Sequence, residues 1–260
     1  EGVGIVSDLG EGVKNFKVGD RVGYVMGKPG AYTENRLYPA ERLIKLPNNV
    51  SDDTAAAVLL KGLTVSYLIN KTFPVMKGQK VLFHAAAGGV GLLACQWLNR
   101  IGAEVIGTVS NEEKAEIARK NGCMYPINYS DGEFVSKVLD ITNGKGVPVV
   151  FDGVGLKTFD GSLKCLSPFG MLVSFGASSG PPPRLYLGTL AKKSLFITKP
   201  SLGPHTETAK LIKEISEPLF KILKEGISVE IQQRYPLKDA AKAHYYLQNR
   251  KTTGSTIFEI

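Results

Sequence analysis

Cysteine, histidine and tryptophan are scarce: 260 residues carry three Cys, three His and one Trp. Cys95, Cys123 and Cys165 are odd in number and far apart, so a disulfide framework is not expected and a reducing, cytoplasmic setting is. Zinc needs a tetrahedral shell of Cys, His or acidic ligands, and no zinc lobe is visible. No apolar run reaches the length that crosses a bilayer, no signal-peptide pattern is read, and low-complexity tracts are absent. Against these absences stands an ordinary globular composition, 43% hydrophobic and 22% charged, enough for a sizeable core in two lobes or one large α/β unit. The 29 glycines and 14 prolines are dispersed, which implies many tight turns rather than a disordered chain.

Lys and Arg outnumber Asp and Glu by 32 to 24, a formal charge of +8. Such an excess suits nucleic acid, an anionic surface or a phosphorylated small molecule. The lysines are dispersed, most beside acids as in Asn111-Glu-Glu-Lys114, and no aromatic residues interleave with them. Nucleic acid is therefore an unfavoured partner, and no membrane is expected.

Residues 1–46 read as short strands over 2–7, 20–25, 31–38 and 42–46, separated by turn chemistry. Ser51-Asp-Asp-Thr54 offers caps to a helix over 55–60, and a second helical run covers 64–71 with Gly62 between them. From residue 78 strand and helix alternate. Strands fall at 80–84, 104–109, 125–128, 148–152, 170–176 and 194–198, and helices at 89–101, 111–122, 131–144, 158–166 and 185–192. That alternation implies a six-stranded, doubly wound parallel sheet covered by helices on both faces, an α/β fold of Rossmann type. The tail mixes helices at 207–224 and 237–249 with strands at 228–234 and 255–260. Three segments follow: a β-rich lobe over 1–63, the dinucleotide-binding unit over 64–199, and a return to the first lobe over 200–260.

The chemistry rests on Ala85-Ala-Ala-Gly88-Gly89-Val90-Gly91, which follows a buried strand and opens a helix. Glycines there let backbone approach a pyrophosphate held on the helix N-terminus. Set against G-x-G-x-x-G, Ala86 replaces the first glycine, while Gly88 and Gly91 fall where close approach and helix–strand packing need them. The next strand ends at Val109-Ser110, where an NAD site would place an acid on the ribose hydroxyls. Ser110, Lys114 and Tyr129 instead offer hydroxyls and a cation, a set suited to a 2′-phosphate, so NADPH is favoured over NADH. The plainer reading of Lys114 is an exposed helix lysine paired with Glu112 or Glu113.

His84-Ala-Ala-Ala-Gly-Gly-Val-Gly91, Lys61-Gly-Leu-Thr64, Ile127-Asn-Tyr129, Ser174-Phe-Gly176 and Lys251-Thr-Thr-Gly-Ser255 together resemble one family. It is that of the zinc-independent, zeta-crystallin-like NADPH:quinone oxidoreductases of the medium-chain dehydrogenase/reductase superfamily, and the resemblance covers essentially the whole chain. It implies a Rossmann NADPH-binding domain and a GroES-like catalytic lobe whose N-terminal part is missing. It implies Gly88, Gly89 and Val90 on the pyrophosphate and Ser110, Lys114 and Tyr129 on the adenosine phosphate. Thr64 and Val154 then sit near the nicotinamide, Phe175, Gly176, Ala177 and Ser178 line its side, and Arg250 reaches the adenosine end. Where the family often has Asn after Phe-Gly, this chain has Ala177. The implied reaction is hydride transfer from NADPH to a quinone, with no metal, since Leu60-Lys61-Gly62 carries no ligand where a zinc dehydrogenase would place one. No catalytic side chain is carried over, because the family's pocket Asn and Tyr belong to the missing part. The alternatives are an enoyl or other activated-alkene reductase of the same superfamily, and a non-catalytic crystallin-like or RNA-binding protein.

Other residues receive plainer readings. His84 ends a buried strand and is expected to bond backbone or to pack, and neither His205 nor His244 has a partner evident in sequence. Cys95, Cys165 and Trp97 read as core. The apolar strand 194–198 would be a pairing hazard as an exposed edge, so a two-fold homodimer through it is expected, in keeping with the resemblance.

Overall fold

The computed structural model describes residues 1–129, 132–249, 251–252 and 254–260. The chain divides into two compact units, Glu1–Ser66 with Leu202–Ile260, and Tyr67–Ser201.

In the first unit β1 (Gly2–Ile5), β2 (Arg21–Tyr24) and β3 (Ile44–Lys45) form an antiparallel sheet. The strand expected at 31–38 does not form. Its side chains tie it down instead: the Arg36 guanidinium lies 4.7 Å and 5.0 Å from the Tyr24 and Tyr38 ring centres, and the Tyr38 hydroxyl donates to the Val25 carbonyl at 3.1 Å. Helix α1 (Asp52–Tyr67) runs unbroken through Gly62 and is capped by Ser51, whose hydroxyl accepts from the Thr54 amide. Gly62 is there for close approach rather than as a break, since a Cβ on it would stand 2.5 Å from the Leu219 side chain.

The second unit alternates strand and helix. Its elements are β4 (Lys80–Phe83), α2 (Gly89–Ile101), β5 (Glu104–Val109), α3 (Glu112–Lys120), β6 (Tyr125–Asn128) and α4 (Phe134–Ile141). There follow β7 (Val147–Asp152), α5 (Phe159–Cys165), β8 (Leu166–Ser174), α6 (Gly188–Ala191) and β9 (Phe196–Thr198). The six strands are parallel in the order β6-β5-β4-β7-β8-β9, so the winding reverses between β4 and β7 and leaves a crevice at their carboxyl ends. Strand alternation sorts the core. Leu82, Ile106, Val150 and Leu172 face one way, onto Phe134 and Val138 of α4 and Phe159 and Leu163 of α5. Helices α2 and α3 pack against β5, and α3 also against β6. Strand β8 stops at Ser174 because the Phe175 and Gly176 amides turn to the Asp152 carbonyl, at 2.9 and 3.4 Å.

The tail adds α7 (Ala209–Lys224), β10 (Ile231–Pro236), α8 (Ala240–Gln248) and β11 (Ser255–Glu259) to the first unit, with β10 and β11 parallel. Helix α7 is amphipathic and buries Ile212, Ile215, Leu219 and Ile222. His244, without an evident partner in sequence, has its Nε2 2.8 Å from the Tyr32 hydroxyl. Among the described residues no helix is long and apolar enough to cross a membrane.

Candidate functional site

From β4 the chain turns through residues 84–88 into α2. The Ala86 amide donates to the Thr108 carbonyl at 3.0 Å and the Gly88 amide to the Ala85 carbonyl at 2.8 Å. Gly88 is an extended N-cap without a side-chain bond, so the first amides of α2, those of Gly89, Val90 and Gly91, have no intrahelical acceptor. With the helix dipole behind them they suit an anion. Glycine is required at 91, where a Cβ would stand 2.3 Å from the Ala85 carbonyl oxygen and 2.7 Å from that of Ala86. At Gly88 the clearance is 3.1 Å. The tight turn falls on Ala85, whose φ is +54°, and not on Ala86 as the motif alignment has it. Ala86 is fully buried, and a Cβ on Gly107 of β5 would stand 2.5 Å from its own.

At the end of β5 Ser110 and Lys114 are exposed, and the Lys114 ammonium donates to the Ser110 hydroxyl at 3.3 Å. Asn111, between them in sequence, is occupied as the cap of α3, accepting from the Lys114 amide at 2.9 Å. The Tyr129 amide donates to the Val109 carbonyl at 3.0 Å, which sets Tyr129 beside the end of β5, and its ring packs partly on the core. The backbone thus brings Ser110 and Tyr129 to neighbouring positions on the carboxyl edge, with Lys114 joined to Ser110 through its side chain.

The loops leaving β7 and β8 close on one another. The Ser178 amide donates to Gly153, Ser179 to Val154 and Leu156 to Gly180, at 3.2, 2.9 and 3.0 Å. Gly153 admits the Phe175 ring, which would stand 2.9 Å from a Cβ there, and that ring lies 5.7 Å from Phe83. Val154, Phe175, Gly176, Ala177 and Ser178 therefore converge. Thr64 belongs to the other unit, on α1, where its hydroxyl donates to the Leu60 carbonyl at 2.7 Å. Arg250 lies outside the described residues.

Sequence reasoning missed a buried polar network beneath these loops. Asp152 accepts on Oδ1 from the amides of Val154 (2.8 Å) and Gly155 (3.0 Å), and both of its oxygens accept from the Thr158 hydroxyl. Ser162 Oγ stands 2.9 Å from Asp152 Oδ2 and 2.9 Å from His84 Nε2, and His84 Nδ1 stands 2.8 Å from the Thr108 hydroxyl. His84 therefore packs, edge-on to Phe134 at 5.2 Å, and its nitrogens bond side chains rather than backbone. Burial pushes its pKa down to about 4, only partly offset by the nearby Asp152 carboxylate, so the ring is neutral at physiological pH. The overlooked signal was a carboxylate ending an otherwise apolar strand, followed by Thr158 and Ser162 one helical turn apart.

Comparison with known proteins bears on this arrangement. A family model described as zinc-binding dehydrogenase matches residues 89–217. A quinone oxidoreductase of Pseudomonas aeruginosa is 47% identical over 99% of this chain and 80% of that protein. The crystal structure of Escherichia coli quinone oxidoreductase complexed with NADPH superposes with a TM-score of 0.94 at 46% identity, over 99% of this chain and 80% of that one. The chain belongs to the quinone oxidoreductase family. The zinc-independent type and the medium-chain superfamily implied by the motifs are the ones these matches point to. A 2-haloacrylate reductase of a Burkholderia species is a further relative, 44% identical over 99% of this chain and 79% of that protein. The family model's description speaks of zinc, yet among the described residues no group of three or more His, Cys, Asp or Glu could hold a metal ion. In the run Leu60-Lys61-Gly62 the Lys61 ammonium donates to the Ser255 hydroxyl at 2.7 Å and the Ala57 carbonyl at 3.3 Å.

Proposed function

We propose that this chain is an NADPH-dependent quinone reductase working without zinc. The observation that carries the reading is the hydroxyl–ammonium pair Ser110–Lys114 at the end of β5, where an NAD site has a carboxylate. A 2′-phosphate is complementary to that pair, and a carboxylate there would repel it. The residues fit the rest of a dinucleotide: the open amides of Gly89 and Val90 suit the pyrophosphate, with Gly88 beside them free of a side chain. Tyr129 is assigned to the phosphate beside that pair, Thr64 and Val154 to the nicotinamide, and Phe175 to Ser178 to its side.

When bound, NADPH supplies the hydride. The chain's own residues position it: the paired loops after β7 and β8 offer the ring an apolar wall of buried Val154 and half-buried Phe175. We further propose a cytoplasmic homodimer. Edge strand β9 carries Phe196 at 57% exposure, Leu187 before it is exposed, and so is Phe169, whose amide donates to the Lys193 carbonyl at 2.8 Å; pairing with a second copy covers that edge. A monomer in dilute sedimentation runs would overturn the dimer.

Similarity to the 2-haloacrylate reductase favours an activated-alkene reductase as the second reading. Calorimetric titration with NADPH and NADH, followed by turnover on quinones and 2-haloacrylates, separates the two. NADPH preference with quinone turnover is expected. Equal binding of the two nucleotides would overturn the cofactor reading, and turnover confined to haloacrylates would replace the substrate.

A further inference from the structure

Four buried polar residues form one row at the carboxyl edge of the parallel sheet: Thr108 on β5, His84 just after β4, Asp152 on β7 and Ser174 on β8. Two positions earlier on the same face stand Ile106, Leu82, Val150 and Leu172, paired in register, so the row is the first layer above an apolar core. Burying that much polarity is costly unless it is hydrogen-bonded, and Thr108, His84 and Asp152 of the row are, while Ser174 Oγ, among the described residues, is not.

The protons can be assigned by counting. The Ser162 hydroxyl has one proton and three acceptors within reach: Asp152 Oδ2 at 2.9 Å, the Thr158 carbonyl at 2.8 Å and His84 Nε2 at 2.9 Å. The Thr158 carbonyl already accepts the Ser162 amide at 2.8 Å as a helix bond, and a carboxylate is the strongest acceptor of the three. The proton therefore goes to Asp152. Ser162 Oγ must then accept from His84, which places the ring proton on Nε2 and leaves Nδ1 to accept from Thr108. The bonds run in one direction, Thr108 to His84 to Ser162 to Asp152. Asp152 in turn holds the amides of Val154 and Gly155.

We propose that His84 is a positioning residue: as the Nε2–H tautomer it orients Ser162 toward Asp152, and that carboxylate fixes the turn at 153–155 for the nicotinamide half of NADPH. The inference rests on the cofactor reading above. The adenosine half is held by side chains after β5 and β6, beyond the Ser162 link, so the two halves of the cofactor should respond differently when that link is cut.

The test measures NADPH and adenosine 2′,5′-bisphosphate binding by calorimetry in wild type, Ser162→Ala, His84→Gln and His84→Phe. Loss of both network bonds of the Ser162 hydroxyl, the one donated to Asp152 and the one accepted from His84, should in Ser162→Ala weaken NADPH about tenfold, lower kcat and leave the bisphosphate within about twofold. His84→Gln, which keeps an amide donor toward Ser162, should recover most of the loss that His84→Phe shows. Parallel weakening of both ligands, or of neither, would overturn the proposal. Nitrogen NMR of wild type needs no variant to fold: His84 Nδ1 should resonate as an unprotonated nitrogen, and the opposite tautomer would overturn the assignment. Failure of folded wild type to bind NADPH at all is a different result, and would remove the cofactor reading itself.

Discussion

The neutrality of His84 has a consequence for stability that one substitution exposes. Its ring is fully buried, edge-on to Phe134 of α4 at 5.2 Å, with Thr108 and Ser162 on its nitrogens and Asp152 as the charged group near it. Burial holds its pKa at about 4 against the ordinary 6.5. Between those values the unfolded chain takes up a proton that the folded chain refuses, so stability is full above pH 6.5 and falls as pH drops toward 4. At 1.36 kcal/mol per pH unit the loss reaches about 3 kcal/mol across the window. His84→Gln removes this dependence and keeps a hydrogen-bonding side chain. At pH 7.5 the variant should be the less stable by about 1–2 kcal/mol, the cost of imperfect replacement bonds. By pH 4.5 the gap should have narrowed by about 2.5 kcal/mol, making the variant equal or superior. Urea unfolding of both proteins at half-unit steps measures this, and the titration of carboxylates common to both cancels in the difference. A gap that stays constant with pH would mean that His84 protonates alike in folded and unfolded chains, and the buried-network account would be wrong.

Other expectations follow from single positions. Ala85→Gly relieves the left-handed φ of +54° and should stabilise the fold by about 0.5–1 kcal/mol, read as a higher Tm. Gly91→Ala drives a methyl into the Ala85 and Ala86 carbonyls and should cost about 1–3 kcal/mol and abolish tight NADPH binding, checked by melting and calorimetry. Lys114→Ala should lower NADPH affinity about tenfold while leaving NADH unchanged, and an equal loss for both would separate Lys114 from the 2′-phosphate. Ser174 Oγ is buried with no hydrogen-bond partner among the described residues, so Ser174→Ala should be neutral or stabilising by up to about 1 kcal/mol in urea unfolding. A loss above that would mean the hydroxyl is bonded.

Strand alternation explains both what could be read from the chain and what could not. Apolar residues two apart in β4, β5, β7 and β8 announce a buried parallel sheet, because a strand covered on both faces must be apolar on both. The glycine turn is equally local: its requirement at Gly91 arises from carbonyls five and six residues earlier in the same loop. Local signals fail where side chains make the structure. The strand expected at 31–38 gives way to Arg36 and Tyr38, and Gly62 reads as a break until Leu219 is seen against it. His84 is the sharpest case, for its partners Thr108 and Ser162 lie 24 and 78 positions away, on another strand and a helix. Yet the same alternation that builds the core also places that network. Register carries Leu82, Ile106, Val150 and Leu172 into one layer, and two residues further on it must carry His84, Thr108, Asp152 and Ser174 into the next. A polar residue at the end of each of four apolar strands is therefore one layer written in four places, and its position at the carboxyl edge sets it under the crevice where the winding reverses.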